Sequence, residues 1–155
     1  MNYELFKVLH VVGAVLFIGN LLLNGWWKLR ADRRGDARLV AFTLDQMVAS
    51  DLRFTVGGAA LLLVGGGGML ALGAGEMMDQ GWLSTGILLF LVALLAWAVV
   101  LLTLQRQLRA RARAAGDGPL PDAYRQLNRY WLPVAALVTL LPLAALVLMV
   151  AKPGG

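Results

Sequence analysis

The sequence predicts an all-α fold, a four-helix transmembrane bundle with short amphipathic cytoplasmic helices, and three observations carry that prediction. Of 155 residues, 59% are hydrophobic and 15% charged, whereas soluble domains hold roughly 45–50% apolar and about 25% charged residues. Four apolar runs are each long enough, at about 1.5 Å per residue, to cross a hydrocarbon core of about 30 Å. The basic residues gather in two of the three connections between those runs. A net charge of +5 distributed in this way reflects membrane topology, and no nucleic-acid partner is expected. With no cysteine in the chain, disulfides, thiolate metal sites, iron–sulfur clusters and cysteine nucleophiles are excluded.

The first span covers residues 4–27. Between Lys7 and Lys28 the only ionisable residue is His10. Glu4 precedes the run and Trp26, Trp27, Lys28 and Arg30 close it without a small-residue cleavage site, so an uncleaved helix is expected rather than a signal peptide. Residues 31–50 turn basic at Arg33, Arg34 and Arg38 and then amphipathic through Leu39, Val40, Phe42, Leu44 and Met47, which predicts a surface helix leading into the second span. Asp45, Asp51 and Arg53 stand at the boundary, where a structural ion pair is expected.

The second span, 54–75, contains Gly57, Gly58, the tetrad Gly65 to Gly68, Gly73 and Gly75. Such a density of glycine predicts close helix packing first, and otherwise an irregular backbone or room for a flat ligand. An acidic turn, Glu76 to Gln80, leads to the third span, 81–105. The tract Arg106, Arg109, Arg111 and Arg113 reads as loop, Gly116 to Pro121 as a break, and Tyr124 to Arg129 as a second surface helix. The fourth span, 131–151, carries Pro133 and Pro142, and the second of these is expected to kink the helix and free a carbonyl. The whole chain reads as one integral membrane domain.

Twelve of the fourteen basic residues flank the first and third connections. That side is predicted to be cytoplasmic, with both termini and the Glu76 to Gln80 turn outside. Trp26, Trp27, Trp82, Tyr130 and Trp131 fall where an interfacial aromatic belt is expected.

His10 is the one histidine, and it lies near the outer end of the first helix. A helical wheel places Tyr3, Lys7, Gly13, Ala14, Phe17, Asn20, Leu21 and Asn24 on its stripe and spreads Val11, Val12, Val15 and Ile18 over the rest. That polar and small-residue face should point at other helices, because an Asn or His facing lipid lacks a partner. Two readings remain open for His10: an imidazole hydrogen-bonded between helices, or a ligand to haem iron or copper. Gly13, one turn deeper, would let a porphyrin or a neighbouring backbone approach. Met69, Met149 and the Met77-Met78 pair lie at a similar depth, so His10 with thioethers would suit copper(I) or His/Met-ligated haem. Thioethers in apolar runs are more often packing than ligands. The sequence lacks a Ser-His-acid constellation at membrane depth, and the glycine tetrad lacks the lysine and context of a phosphate loop.

Leu9-His10 with Gly19, Asp51-x-Arg53-Phe54-Thr55, Gly81-Trp82, Gln105-x-Gln107, Pro121-x-x-Tyr124-x-x-Leu127-x-Arg129-x-Trp131 and Met149-Val150-Ala151-Lys152-Pro153, as a set, resemble a bacterial family of predicted four-helix integral membrane proteins. That family looks distantly related to copper-resistance protein D and to the HemJ-type protoporphyrinogen oxidase, which similarly place a histidine early in an apolar first helix. The resemblance implies a bacterial inner-membrane location and a haem- or metal-handling role for His10. No transmembrane lysine stands where the HemJ-type enzyme has one, so its oxidase activity is not implied.

The functional expectation is therefore a haem b site near the outer leaflet built on His10, Gly13 and Met69, serving electron transfer or haem-linked oxidation with a redox partner. Copper held by His10, Met69 and Met149 is the first alternative and a non-catalytic scaffold the second. With one histidine per chain, a homodimer is expected to accommodate a porphyrin between subunits.

Overall fold

The computed structural model describes residues 2–73 and 78–153, so part of the acidic turn and Met77 lie outside the described residues. Among the described residues four long helices make up the fold: α1 (Tyr3–Arg34), α2 (Ala37–Ala71), α3 (Gly81–Ala114) and α4 (Asp122–Ala151). Each is long and apolar enough to cross a membrane. At 30–35 residues they measure about 45–52 Å, well beyond the roughly 30 Å of a bilayer core. The surplus forms a helical extension at the basic end.

The amphipathic stretches are helical, as expected, but they run straight on from the spans instead of standing apart. Residues 37–50 open α2, and the arginine tract read as a loop is helix Leu102–Ala114 at the end of α3. A run of arginines signals solvation rather than backbone conformation. Gln105, Leu108 and Ala112 keep a helical spacing through it, and all three are buried.

The α1–α2 corner is set by two residues. Gly35, at φ 70°, ends α1 in the left-handed conformation and donates its N–H to Asp32 O. Asp36 then caps α2, its carboxylate accepting from the N–H groups of Arg38 (2.9 Å) and Leu39 (3.2 Å). Asp36 also bridges to Pro119, and Arg38 pairs with Asp117, so the two basic connections meet at one end of the bundle. Asp45 of α2 accepts from Arg109 and, at 2.8 Å, from Arg113, joining α2 to α3 there.

Helices α1 and α2 pack antiparallel and very closely. A Cβ added at Gly13 would lie 2.7 Å from Gly58 O and Leu62 N, one at Gly58 2.7 Å from Phe17 N, and one at Gly65 2.5 Å from His10 N. The glycines thus permit backbone-to-backbone contact, the packing reading of the sequence. Gly65→Ala must push the helices apart, at a cost of about 1–3 kcal/mol. Gly67, whose added Cβ meets nothing within 4 Å, is the control, and Gly67→Ala should be neutral or stabilising by up to about 1 kcal/mol through helix propensity. Equal unfolding midpoints for the two variants in detergent would contradict this packing.

The predicted inner stripe of α1 is buried at Gly13, Phe17, Asn20 and Leu21, while Val11, Val12 and Val15 are exposed. Ile18, which the wheel set apart from the stripe, is buried as well. Phe17 meets Phe90 of α3 edge to face, with ring centroids 5.5 Å apart. Around the core formed by Phe17, Trp97, Leu108, Trp131 and Val138, the outer surface is valine and leucine, as at Val15, Leu95, Val147 and Val150. A continuous apolar exterior of this kind requires lipid around it. Helix α4 stays helical through Pro133 and Pro142.

Candidate functional site

His10 is half-buried, and its ring lies across α2. Its Nδ1 is 3.0 Å from the carbonyl oxygen of Leu62. A carbonyl only accepts, so Nδ1 carries a proton, and in the neutral ring Nε2 is then the nitrogen with the free lone pair. Among the described residues Nε2 has no hydrogen-bond partner. A Cβ on Gly66 would lie 3.3 Å from His10 Nδ1, so this glycine leaves the imidazole its place.

The other residues singled out from the sequence disperse. Gly13 is occupied by the backbone of α2 at Gly58 and Leu62, which realises the neighbouring-backbone option and leaves no porphyrin-sized gap there. Met69 is half-buried on α2. Met149 belongs to the α3–α4 pair, where its methyl would lie 2.7 Å from a Cβ on Gly86, so the thioether fills a packing notch. Asp51 and Arg53 form no ion pair. Two positions apart on a helix they point to different faces, and Arg53 is exposed and reaches only Ala49 O at 3.4 Å.

Two polar clusters were not legible in the sequence as sites. In the first, the Lys28 ammonium is fully buried and gives its three N–H groups to Asp32 Oδ2 (2.5 Å), Tyr124 Oη (3.0 Å) and Asn128 Oδ1 (2.7 Å). Tyr124 Oη donates to Asp32 Oδ1 at 2.6 Å and Asn128 Nδ2 to Asp32 Oδ2 at 2.9 Å. The ammonium also sits 4.7 Å from the centre of the Trp131 ring. Every donor of the cation is used, so this is a closed clamp between α1 and α4. Its one sequence trace is the pair of i,i+4 spacings, Lys28 to Asp32 and Tyr124 to Asn128.

The second cluster surrounds Asp51, which is only 3% exposed. Its Oδ1 accepts from Asn20 Nδ2, Asn24 Nδ2 and Thr55 Oγ1, each at 2.9 Å. Asn20 reaches Thr55 Oγ1 at 2.8 Å, and Ser50 Oγ donates to Asn24 Oδ1 at 3.1 Å. The Thr55–Asp51 bond lies within α2, and the other four join α1 to α2. The backbone widens to a single π-turn at Asp51–Thr55, and again on α3 at Trp97–Leu101. Such turns are uncommon and recur at functional positions. The asparagine spacing placed Asn20 and Asn24 on the inner stripe, but nothing in sequence paired them with Asp51.

Among the described residues no group of three or more histidine, acidic or cysteine side chains is arranged to hold a metal ion. His10 is thus a single donor, and the Asp51 and Lys28 clusters are hydrogen-bonding centres. No curated protein and no solved structure matches the chain. Residues 4–153 match the family described as predicted integral membrane protein (DUF2269). With four membrane-length helices and a match over nearly its whole length, the chain belongs to this family of integral membrane proteins.

Proposed function

We propose that the protein is a bacterial inner-membrane haem b protein in which Nε2 of His10 would hold the iron near the outer leaflet, in electron transfer or haem-linked oxidation. The observation that supports this reading is the Nδ1–H···O=C bond from His10 to Leu62. Anchoring one ring nitrogen on a carbonyl is how metal-ligating imidazoles are oriented and made basic. Bound haem would supply one-electron exchange at its iron. The distant likeness to copper-resistance protein D and the HemJ-type oxidase, with their early first-helix histidine, points the same way.

The closed α1–α2 contact at Gly13 and Gly65 leaves the lipid-facing flank of His10 or a junction between two copies for a porphyrin. A homodimer is the arrangement that supplies a second imidazole. Copper is less well supported, because Met149 is engaged at Gly86. The scaffold reading has its own observation, since the Leu62 bond also satisfies a purely structural imidazole. A visible spectrum and elemental analysis of the purified protein decide among them: a Soret band supports haem, stoichiometric copper the metal alternative, and neither the scaffold.

The basic end faces the cytoplasm in this proposal, because Lys and Arg resist translocation. Reporter fusions after Asp79 and at the C-terminus should read as external, and one near Gly116 as cytoplasmic. A cytoplasmic signal from the Asp79 fusion would invalidate the orientation.

A further inference from the structure

Four buried side-chain atoms among the described residues have no hydrogen-bond partner within 3.5 Å: Asp51 Oδ2, Gln105 Oε1, Trp97 Nε1 and Trp131 Nε1, with the Trp97 indole standing beside the Asp51 carboxylate. All four residues line one internal cavity, with Asn24 and Thr139 also on its wall. Each of the four is more than nine-tenths buried. Unpaired buried polar groups are costly, and four of them around one small space form a built site. They come from three helices, α2, α3 and α4, and two stand at the head of the π-turns that begin at Asp51 and Trp97.

The chemistry of the set defines its ligand. Two indole N–H groups can only donate, and the carboxylate and amide oxygens can only accept. A bare cation gains nothing from the indoles and is repelled by their N–H dipoles, while an anion is repelled by Asp51 and by the Gln105 oxygen. A neutral molecule with two donors and two acceptors satisfies all four. The cavity has a volume of about 10 Å³, and about that much space is needed for a single water.

We propose that the centre of the bundle is a binding site for one water molecule, which accepts from Trp97 and Trp131 and donates to Asp51 and Gln105. Asn20, Asn24 and Thr55 saturate Oδ1 of Asp51, which leaves Oδ2 for the solvent ligand. The site has a structural consequence. The cross-helix bonds of the Asp51 cluster join α1 and α2, and the water adds a hydrogen-bonded link from this pair to Trp97 and Gln105 of α3 and to Trp131 of α4.

The test uses the full chain in bilayers, with the tryptophans ¹⁵N-labelled at the indole and magnetisation transferred from water in solid-state NMR. Trp82, whose Nε1 donates to Gln80 Oε1 at 2.6 Å, is the reference for an indole bonded to protein. Trp97 and Trp131 should show hydrogen-bonded indole shifts and receive magnetisation from water at short mixing times despite their burial. Gln105→Met, similar in shape but without the acceptor, should shift both signals together. Shifts of non-bonded indoles with no transfer from water would overturn the site. So would spectra that change when sodium replaces choline as the only cation, because the occupant would then be an ion. If Gln105→Met fails to fold, the wild-type transfer and the sodium comparison still decide.

Discussion

The His10→Ala protein should lose haem together with its Soret band while remaining an inserted, folded bundle. The iron–imidazole bond would be the one strong anchor of the cofactor, whereas the fold loses one interhelical hydrogen bond, to Leu62. Such bonds within membranes are worth about 0.6–2 kcal/mol, and the glycine contacts of α1 with α2 do not involve the imidazole as their main support. Near-complete loss of the band with an unchanged particle size is the expected outcome. Met69→Leu is the matching control, nearly equal in volume but without the thioether. A changed band there would add Met69 as the second ligand, and an unchanged one would assign that position elsewhere. Full retention of haem and of its spectrum in His10→Ala would place the chemistry on another residue.

The largest effect on stability is expected from Asp32→Ala. That change strands the Lys28 ammonium, which has no exposure to solvent, with only the neutral Tyr124 and Asn128 as partners. Removing one member of a buried ion pair costs about 3–5 kcal/mol, whereas replacing both by apolar groups is often close to neutral. Combining Asp32→Ala with Lys28→Met should therefore recover most of the loss, although each change removes polar contacts. Asp122→Ala is the exposed comparison. Its pairing with Arg125 at 3.8 Å joins two solvated side chains, and such pairs are worth about 0–1 kcal/mol. Unfolding midpoints in detergent of the parent and the three variants should rank accordingly. An Asp32→Ala protein as stable as the parent would mean that the carboxylate is not what holds the ammonium.

Membrane class, the number of candidate spans and the gathering of basic residues into two connections could be read along the chain, because each is a one-dimensional quantity. Span length compares with bilayer thickness, and charge is counted along the chain. The inner stripe of α1 was legible for the same reason, since helical periodicity is local and buries Gly13, Phe17 and Asn20 on one face. Sequence separation hid the rest. That Lys28 meets residues 96 and 100 positions away depends on how α1 lies against α4. That Asp51 shares a cavity with Trp97, Gln105 and Trp131 depends on two π-turns and on the packing of three helices. Charge density also misled about the arginine tract, whose backbone is kept helical by Leu108 and Ala112 packing beneath its arginines. That Gly58 and Gly65 of α2 are met by the backbone of α1, and Gly68 by the Phe6 ring, was set by helix packing alone, because an absent side chain reads identically in sequence whether a helix or a ligand takes its place.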